Sequence, residues 1–483
     1  MCGIVGFMGR TDVAPEIVHG LTSLQHRGQD AAGLVTFDTR FRMKKGLGLA
    51  AEVFRNVDLK AFAGPWGLGH VRYATQGKDD LMDAQPFAIN YPFGIAMVHN
   101  GNVTNFNELR KELFEQKHRL LETSNDLELI LYTLASQLEQ RRLGNLCAED
   151  IFDSVEETQK AVQGAYSTIT IIANEGMLAF TDPYGIRPLV MGRKFTKLGI
   201  IYGFASESST FDYLGYEKVR DLKPGEAIFI DKERQSDTKE LTVQGRAFCV
   251  FEYIYFARED SHIHGRLVAG ERVRMGKKLA ETFRATGLQP DIVVDVPASA
   301  YFFASGLAEE LGVPYRRGLS KNKYIGRSFI SSSQTEREKV VRQKLNPIKE
   351  IVEGKKVAVV DDSIVRGTTS KHLVKLLRES GAKEVYFVSA APPIRFPCIY
   401  GIDMSIKREI IAANYEIDGI ARYIGADAVI YQSLEDLREL YNDLPCCYAC
   451  FSGNYPTGIG SEALDEIERE RVCSKNQQKE LPF

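Results

Sequence analysis

The sequence lacks a long apolar segment, a large excess of charge and a dense set of cysteines. No apolar run approaches the roughly 18 residues that a membrane-spanning helix needs, so we expect no membrane segment. The 483 residues carry 61 Lys and Arg against 64 Asp and Glu, a net charge of −3. This balance argues against a protein held to nucleic acid by bulk charge. Eight cysteines are too few for a disulfide scaffold in a chain of this length.

Targeting signals, repeats and low-complexity tracts are also missing from the sequence. The first residues lack the charged and apolar regions of a secretory signal, so we expect a cytoplasmic protein. The absence of a repeat at 20–50 residues excludes solenoids and propellers. An apolar content of 44% and a charged content of 26% are ordinary for a soluble globular enzyme. At roughly 100–200 residues per domain, the length predicts two to four domains.

The pattern of apolar and polar residues changes near residue 240. Before it, short β-branched or apolar runs and amphipathic stretches lie in separate blocks, which predicts an α+β layered domain. The clearest strands are predicted over 67–71, 95–99 and 168–173, and the clearest helices over 13–24, 105–117 and 126–141. After about residue 270, helical patterns alternate with compact apolar strands, which is typical of an α/β domain with a parallel sheet. These later strands are predicted over 292–296, 356–360, 384–389 and 428–431.

This change of pattern predicts three regions of the chain. We expect a first domain over 2–240, a second over 250–457 and a helical tail over 458–483. The predicted border between the two domains lies near 240–250, just after the polar stretch 231–240.

Cys2 is a candidate nucleophile because it becomes the first residue once the initiator Met1 is removed. A terminal cysteine carries a thiol and an α-amino group together. That amine has a pKa near 7.7–8.0, so it can act as a base at neutral pH without a separate histidine. Gly3 and Gly6 allow the backbone to pass close to a substrate.

The motifs at 24–30, 69–75 and 99–102 extend this pattern. With Cys2 they resemble the glutaminase domain of amidotransferases with an N-terminal nucleophile, which implies an αββα sandwich and glutamine as substrate. The resemblance implies that Asn100 and the Gly101 N–H form the oxyanion hole. It also implies glutamine binding by Arg27, Arg72 and Asp126, with Arg27 organising the loop over the site. His26, His70 and His99 are interpreted as structural.

A second candidate site follows the predicted strand 356–360. Asp361 and Asp362 come at its carboxyl end, where parallel sheets bind ligands. The loop 363–370 then offers backbone N–H groups, hydroxyls and a helix start, which suits a phosphate. The Gly-Lys-Ser/Thr ending of nucleotide hydrolases is missing.

This loop resembles that of type I phosphoribosyltransferases, which bind phosphoribosyl pyrophosphate (PRPP). The resemblance implies that Asp361 and Asp362 bind the ribose hydroxyls. It also implies that PRPP and Mg²⁺ contact a further set of residues, namely Ser299, Ser363, Arg366, Gly367, Thr368, Thr369 and Ser370. The basic, aromatic segment 321–330 resembles the family's lid over PRPP, with Lys321, Tyr324 and Arg327 as its candidate contacts; composition alone also fits a solvated loop.

Both halves in this order resemble the glutamine PRPP amidotransferase family. The resemblance implies that glutamine, PRPP and water give 5-phosphoribosylamine, glutamate and pyrophosphate at the start of purine synthesis. Purine-nucleotide feedback inhibitors and a homotetramer are further implications. Two departures stand out: Ala298 replaces the usual acid of the pyrophosphate loop, and Glu259 replaces a proline. A regulatory paralogue, or an amidotransferase with another acceptor, remains an alternative.

Cys447 and Cys450 form one Cys-x-x-Cys pair, which fits zinc, a redox dithiol or neither. The family's iron–sulfur subset has two further cysteines, and Cys249 and Cys398 stand at those places here. The resemblance therefore implies a [4Fe–4S] cluster held by four thiolates. Zinc is the main alternative because a Cys₄ set suits it equally. Cys446 is interpreted as a spare.

Overall fold

Two antiparallel β-sheets, packed face to face, form the amino-terminal half of the protein. We describe it from a computed structural model that covers residues 1–73, 81–141, 146–322, 345–404, 406–460 and 462–469. The strands of this half are β1 Gly3–Met8, β2 Ala31–Phe37, β3 Phe41–Leu47, β4 Trp66–Arg72, β5 Phe87–Ile89, β6 Ile95–Val103, β7 Gly164–Ile172, β8 Gly176–Thr181, β9 Val190–Thr196, β10 Gly199–Ala205, β11 Glu217–Asp221, β12 Glu226–Asp231 and β13 Ser236–Glu240. One sheet has the order β11-β9-β10-β1-β4-β2-β3, and the other β13-β12-β8-β7-β6-β5.

Helices cover the outer face of each sheet. They are α1 Ala14–Ser23, α2 Ala50–Val53, α3 Phe106–Lys117, α4 Leu127–Glu139, α5 Ala148–Ala161 and α6 Ser209–Leu214, with a 3₁₀ turn at Leu59–Phe62. Apolar side chains of α1 and α6 pack on the seven-stranded sheet, and those of α3, α4 and α5 pack on the six-stranded sheet. Between the sheets, Ile4 and Leu68 share a core with Val98 and Ile169. The layers are therefore αββα, as predicted.

A parallel sheet organises the second half of the protein. Its strands and the short pairs around it are β14 Phe248–Cys249, β15 His262–Ile263, β16 Arg266–Leu267, β17 Ile292–Asp295, β18 Leu319–Lys321, β19 Leu345–Pro347, β20 Lys356–Asp361, β21 Glu384–Ser389, β22 Ala428–Tyr431 and β23 Cys446–Cys447. The four-stranded sheet has the order β17-β20-β21-β22, and all its neighbours are parallel.

Helices lie on both faces of this sheet. They are α7 Val268–Ala285, α8 Tyr301–Leu311, α9 Lys349–Val352, α10 Thr368–Glu379, α11 Ile411–Asn414, α12 Ile417–Ile424, α13 Leu434–Leu440 and α14 Ala449–Ser452; a π-helix spans Glu252–Phe256, a 3₁₀ turn spans Lys407–Glu409, and 462–469 is helical. Successive residues of β20 lie on opposite faces of the sheet. Ala358 packs with α7 and α8, and Val359 packs with α10 and α12. A strand buried on both faces explains its continuous apolar sequence.

Most predicted elements coincide with observed ones, and the differences lie at their ends. The polar stretch 231–240, which precedes the predicted border, forms the end of β12 and the strand β13 of an edge hairpin. Exposed edge strands tolerate polar side chains on both faces, so their pattern resembles that of a linker. The helix that follows Asp362 begins at Thr368, within the predicted loop 363–370. None of the described helices is long and apolar enough to cross a membrane.

Candidate active site

Cys2 lies just before β1, at the end of the sheet where β1 pairs with β4. Its backbone nitrogen donates a hydrogen bond to Asn100 Oδ1 at 3.1 Å, and its Sγ lies 3.8 Å from the Tyr73 carbonyl oxygen. Met1 is buried beside it. Removal of Met1 would turn the bonded nitrogen into an α-amine, already held next to the thiol. The arrangement therefore supplies a nucleophile and a base on one residue.

Asn100 lies on β6, and only one of the two polar atoms of its side-chain amide has a hydrogen-bond partner among the described residues. Oδ1 accepts from Cys2, whereas the buried Nδ2 has no hydrogen-bond partner among the described residues. A buried, unpaired donor beside a nucleophile is what an oxyanion needs. The next residue must be glycine, because a Cβ on Gly101 would lie 1.9 Å from the Ala165 carbonyl oxygen.

Arg72 and Asp126, the predicted partners of the glutamine α-carboxylate and α-ammonium, are both nearly buried. Arg72 ends β4, and its Nη2 lies 3.7 Å from Asp83 Oδ2. Asp126 precedes α4, and its Oδ2 accepts from the Val103 N–H at 2.9 Å. Burial raises the pKa of Asp126, but the His99 ring and the backbone N–H lower it to a net value below the ordinary one. Asp126 is thus held as an anion, suited to a cationic group.

Arg27 binds the nucleophile's backbone rather than standing free for substrate. Its Nε donates to the Cys2 carbonyl oxygen at 3.1 Å, and its Nη atoms contact Glu207 at 2.5 Å and Glu252 at 2.9 and 3.0 Å. Arg187 Nη1 lies 3.5 Å from the same Glu252. All four charged side chains are fully buried. The predicted role of Arg27 in glutamine binding and in organising the loop over the site stays a prediction.

The three histidines interpreted as structural have distinct surroundings. His26 Nε2 lies 2.7 Å from Glu207 Oε1. His70 is fully buried on β4, and burial lowers its pKa well below the ordinary value. His99, on β6, has its Nε2 3.3 Å from Asp126 Oδ1. None of the three makes a hydrogen bond to Cys2 among the described residues.

Asp361 and Asp362 end β20 at the carboxyl edge of the parallel sheet. Asp362 accepts from Ser299 Oγ at 2.5 Å and from Ser363 Oγ at 2.7 Å. Burial and repulsion from Asp362 raise the pKa of Asp361 well above its ordinary value, and burial raises that of Asp362. Two adjacent buried carboxylates at this edge of the sheet favour a ligand that brings hydroxyl donors or a metal ion.

The loop after these carboxylates leads into the N-terminus of α10. Gly367 has a φ of 74°, and a Cβ there would lie 2.6 Å from Ile411 Cδ1. The helix has no side-chain cap, and Thr368 and Thr369 are exposed at its first turn whereas Ser370 is buried. The first N–H groups of the helix can therefore bind an anion such as phosphate. Arg366 lies beside this loop, and its Nε and Nη2 contact Glu409 Oε2 at 2.9 and 2.8 Å.

Only the base of the predicted lid lies in the described part of the chain. Lys321 is exposed at the end of β18, which pairs with β19. Tyr324 and Arg327 lie outside the described residues.

The four cysteines predicted to bind a cluster come together from three segments. Cys249 and Cys447 are paired residues of the parallel strands β14 and β23. The Cys450 carbonyl accepts from the Arg395 and Phe396 N–H groups, which brings the segment containing Cys398 alongside. All four are buried and free of disulfides. Among the described residues, however, no group of three or more His, Cys, Asp or Glu side chains is arranged to hold a metal ion. The metal centre stays a prediction.

A cavity of about 250 Å³ lies between the two candidate sites. Met1, Arg27 and Tyr73 line it on the Cys2 side, and Asp362 and Ser363 line it on the side of β20. Aromatic and apolar side chains form much of the remaining wall, namely Phe251, Tyr255, Phe256, Val365, Ile402 and Met404. The same cavity thus borders both sites.

Known proteins share both halves of this arrangement. The family model described as a glutamine amidotransferase domain matches residues 70–212, and the one described as a phosphoribosyl transferase domain matches residues 270–393. A curated relative from Pasteurella multocida, an amidophosphoribosyltransferase, is 44% identical over 501 residues, covering 99% of this chain and 98% of that protein. The chain belongs to the amidophosphoribosyltransferase family.

Two solved structures agree with this family in fold as well as in sequence. Glutamine PRPP amidotransferase from B. subtilis, complexed with ADP and GMP, is 39% identical with a TM-score of 0.84, covering 95% of this chain and 98% of its own. A structure described as the allosteric regulatory enzyme of purine biosynthesis is 38% identical with a TM-score of 0.86, covering 97% and 99%. The predicted fold, a glutaminase sandwich followed by a type I phosphoribosyltransferase domain, is confirmed.

The buried acids that join the two halves of the chain were not identified from the sequence. Glu252 lies in an apolar segment between Phe251 and Tyr253, where a carboxylate survives only if a cation is buried with it. That pattern was the available signal. Its partners Arg27 and Arg187 are distant in sequence, so the pairing itself could not be predicted.

Proposed function

We propose that this protein makes 5-phosphoribosylamine from glutamine, PRPP and water, releasing glutamate and pyrophosphate. The proposal rests on one cavity, which borders both the residues around Cys2 and the loop that contains Asp361 and Asp362. Either site alone fits many enzymes, whereas an N-terminal thiol joined to a phosphoribosyl loop fits this reaction. The near full-length match to amidophosphoribosyltransferases supports it.

The first half-reaction uses the chain's N-terminus. The Cys2 thiol transfers its proton to its own α-amine and attacks the glutamine amide carbon. Asn100 Nδ2 and the Gly101 N–H stabilise the oxyanion, and the protonated amine delivers its proton to the leaving ammonia. Water then hydrolyses the thioester to glutamate. Arg72 and Asp126 bind the α-carboxylate and the α-ammonium of the substrate in this proposal.

The second half-reaction uses the loop after β20. Asp361 and Asp362 accept hydrogen bonds from the ribose hydroxyls, and the N-terminus of α10 with the hydroxyls of 368–370 binds the 5′-phosphate. Ammonia attacks the anomeric carbon and displaces pyrophosphate. Ammonia would reach that carbon through the cavity that borders both sites.

Two cofactors belong to the proposal. The carboxylate and hydroxyl oxygens of Asp361, Asp362 and Ser299 fit Mg²⁺, which prefers oxygen ligands and would neutralise the pyrophosphate leaving group. Four buried thiols fit a [4Fe–4S] cluster held by Cys249, Cys398, Cys447 and Cys450. A single zinc ion needs all four sulfurs about 2.3 Å from one centre. A cluster instead binds one thiolate per iron, so the iron and zinc contents of the purified protein distinguish the two.

Further aspects of the proposal rest on the family alone. Purine nucleotides would inhibit by competing for the phosphate-binding loop, as the relative complexed with ADP and GMP suggests. A homotetramer and a cytoplasmic location are also proposed.

The direct test is a balance of products with the full-length protein. With glutamine, PRPP and Mg²⁺, glutamate and pyrophosphate should form in equal amounts, and pyrophosphate should not form without an ammonia source. Glutamate release that PRPP neither stimulates nor couples to pyrophosphate would indicate an amidotransferase with another acceptor. Binding of PRPP without either product would indicate a regulatory paralogue, an alternative whose sequence support is Ala298.

A further inference from the structure

Gln85, His99 and Asp126 form a continuous buried chain behind the glutamine site. Gln85 Oε1 accepts from the His99 backbone N–H at 2.8 Å, and Gln85 Nε2 lies 2.8 Å from His99 Nδ1. At the other side of the ring, His99 Nε2 lies 3.3 Å from Asp126 Oδ1. The exposed fractions are 2%, 3% and 6% in this order. Neither Gln85 nor His99 has a role in the first half-reaction described above.

The orientation of the Gln85 amide follows from its partner. A backbone N–H can only donate, so the atom facing the His99 N–H must be the carbonyl oxygen. The amide nitrogen therefore faces Nδ1. Exchange of the two atoms would oppose two donors at the backbone, so the alternative orientation is excluded.

The orientation of the amide in turn fixes the tautomer of His99. An amide NH₂ group is a donor, so Nδ1 must accept and cannot carry a proton. The single proton of the ring is then on Nε2, which makes no hydrogen bond in the described part of the chain and faces Asp126. In the other tautomer, a lone pair on Nε2 would face the carboxylate and repel it.

We propose that Gln85 is a positioning residue for substrate glutamine, acting through the Nε2–H tautomer of His99 on Asp126. The inference rests on the proposed function, in which Asp126 binds the substrate α-ammonium. The His99 ring faces Oδ1 at 3.3 Å and the Val103 N–H donates to Oδ2 at 2.9 Å, so each oxygen of the carboxylate has a polar neighbour that orients it. Metal-binding histidines show the same principle, because an outer partner fixes the tautomer of the ring.

The test removes the amide and keeps the volume, as in Gln85→Met. Misalignment of a hydrogen bond to a charged group should raise the KM for glutamine about ten- to a hundredfold, with a smaller change in kcat. The matched control is Gln159→Met. Gln159 is equally buried in the same half of the protein and also uses both amide atoms, toward Thr181 and Thr242. Its KM for glutamine should stay unchanged.

A chemical probe separates positioning from a general structural effect. In Gln85→Met, alkylation of Cys2 by a diazoketone analogue of glutamine, which carries the α-ammonium, should slow at least tenfold. Alkylation by iodoacetamide, which lacks that group, should keep its wild-type rate. Equal slowing with both reagents would mean that the whole site is disturbed, and it would overturn the assignment.

A measurement on the unaltered protein covers the case in which Gln85→Met does not fold. Nitrogen-15 NMR of protein labelled at its eight histidines reports each tautomer, and His99 is assigned by its loss in His99→Asn. A protonated Nδ1 on His99 would overturn the inference. If the wild type releases no glutamate from glutamine, the proposed function fails; if it does and Gln85→Met keeps the wild-type KM, only the inference about Gln85 fails.

Discussion

At the scale of single residues, the two polar atoms of the Asn100 amide have different roles: Oδ1 accepts a hydrogen bond from the Cys2 nitrogen, and Nδ2 is the proposed donor to the oxyanion. Asn100→Asp keeps an acceptor for the Cys2 nitrogen and removes the Nδ2 donor. Loss of one oxyanion donor should lower kcat for glutamine hydrolysis about 10²–10³-fold. Synthesis from ammonia should keep its rate. The control is Asn105→Asp, because Asn105 also uses both amide atoms but binds the backbone of 161 and 163. Equal losses with ammonia and glutamine would contradict the assignment.

The paired carboxylates give a prediction for the other substrate. Asp362→Asn should raise the KM for PRPP about ten- to a hundredfold, because a hydrogen bond to a charged group is worth about 1.5–3 kcal/mol. Glutamine hydrolysis measured without PRPP should be unaffected. Asp291→Asn is the control, since Asp291 binds the Lys356 N–H at the opposite end of the same strand. An unaltered KM for PRPP in Asp362→Asn would remove this residue from the site.

At the scale of elements, the segment after β14 joins the two halves through buried charge. Glu207 accepts from the Arg258 N–H at 2.9 Å and from Ser261 Oγ at 2.8 Å, besides its contacts with His26 and Arg27. Burial raises the pKa of Glu207, but the His26 ring, the Arg27 guanidinium and the Arg258 N–H lower it to a net value well below the ordinary one. This contribution to stability is present above the unfolded pKa and is lost as the pH falls through the folded pKa.

Glu207→Gln should therefore destabilise the protein most at neutral pH. Removal of one partner from a buried ion network costs about 3–5 kcal/mol, which thermal unfolding at pH 7 measures. The difference from the wild type should shrink below about pH 4, where the unfolded wild-type glutamate is itself protonated. Glu157→Gln, in an exposed pair with Lys160, should change stability by less than about 1 kcal/mol. A pH-independent difference for Glu207→Gln would contradict the linkage.

The elements also show what the sequence can and cannot predict. The parallel strands were predictable because burial on both faces leaves a continuous apolar run, and Asp361 was predictable because it follows such a run directly. The edge hairpin of β12 and β13 was not, because its polar pattern resembles a linker. Gln85 and Glu252 were missed as functional residues because their partners are set by the packing of distant segments, which no local pattern records.

At the scale of the whole molecule, the cysteine cluster gives a prediction about composition and stability. Anaerobically purified protein should be brown and contain about four irons per chain. Cys447→Ser should lose the iron and destabilise the second half of the protein. The four ligands of the cluster come from three segments, and the cluster would hold these segments in contact. Cys147→Ser, at an exposed position, should keep both. Colourless active protein with stoichiometric zinc, or full iron in Cys447→Ser, would overturn the proposed cluster.

The central claim is that two separate sites, joined by one cavity, share the reaction. Its most direct test is Cys2→Ala assayed with PRPP and Mg²⁺, with glutamine and ammonia supplied in parallel. The account predicts no phosphoribosylamine or pyrophosphate from glutamine and a rate close to that of the wild type from ammonia, because the thiol serves only the release of ammonia. Loss of both activities in a folded variant, or retention of the glutamine-dependent one, would contradict the account.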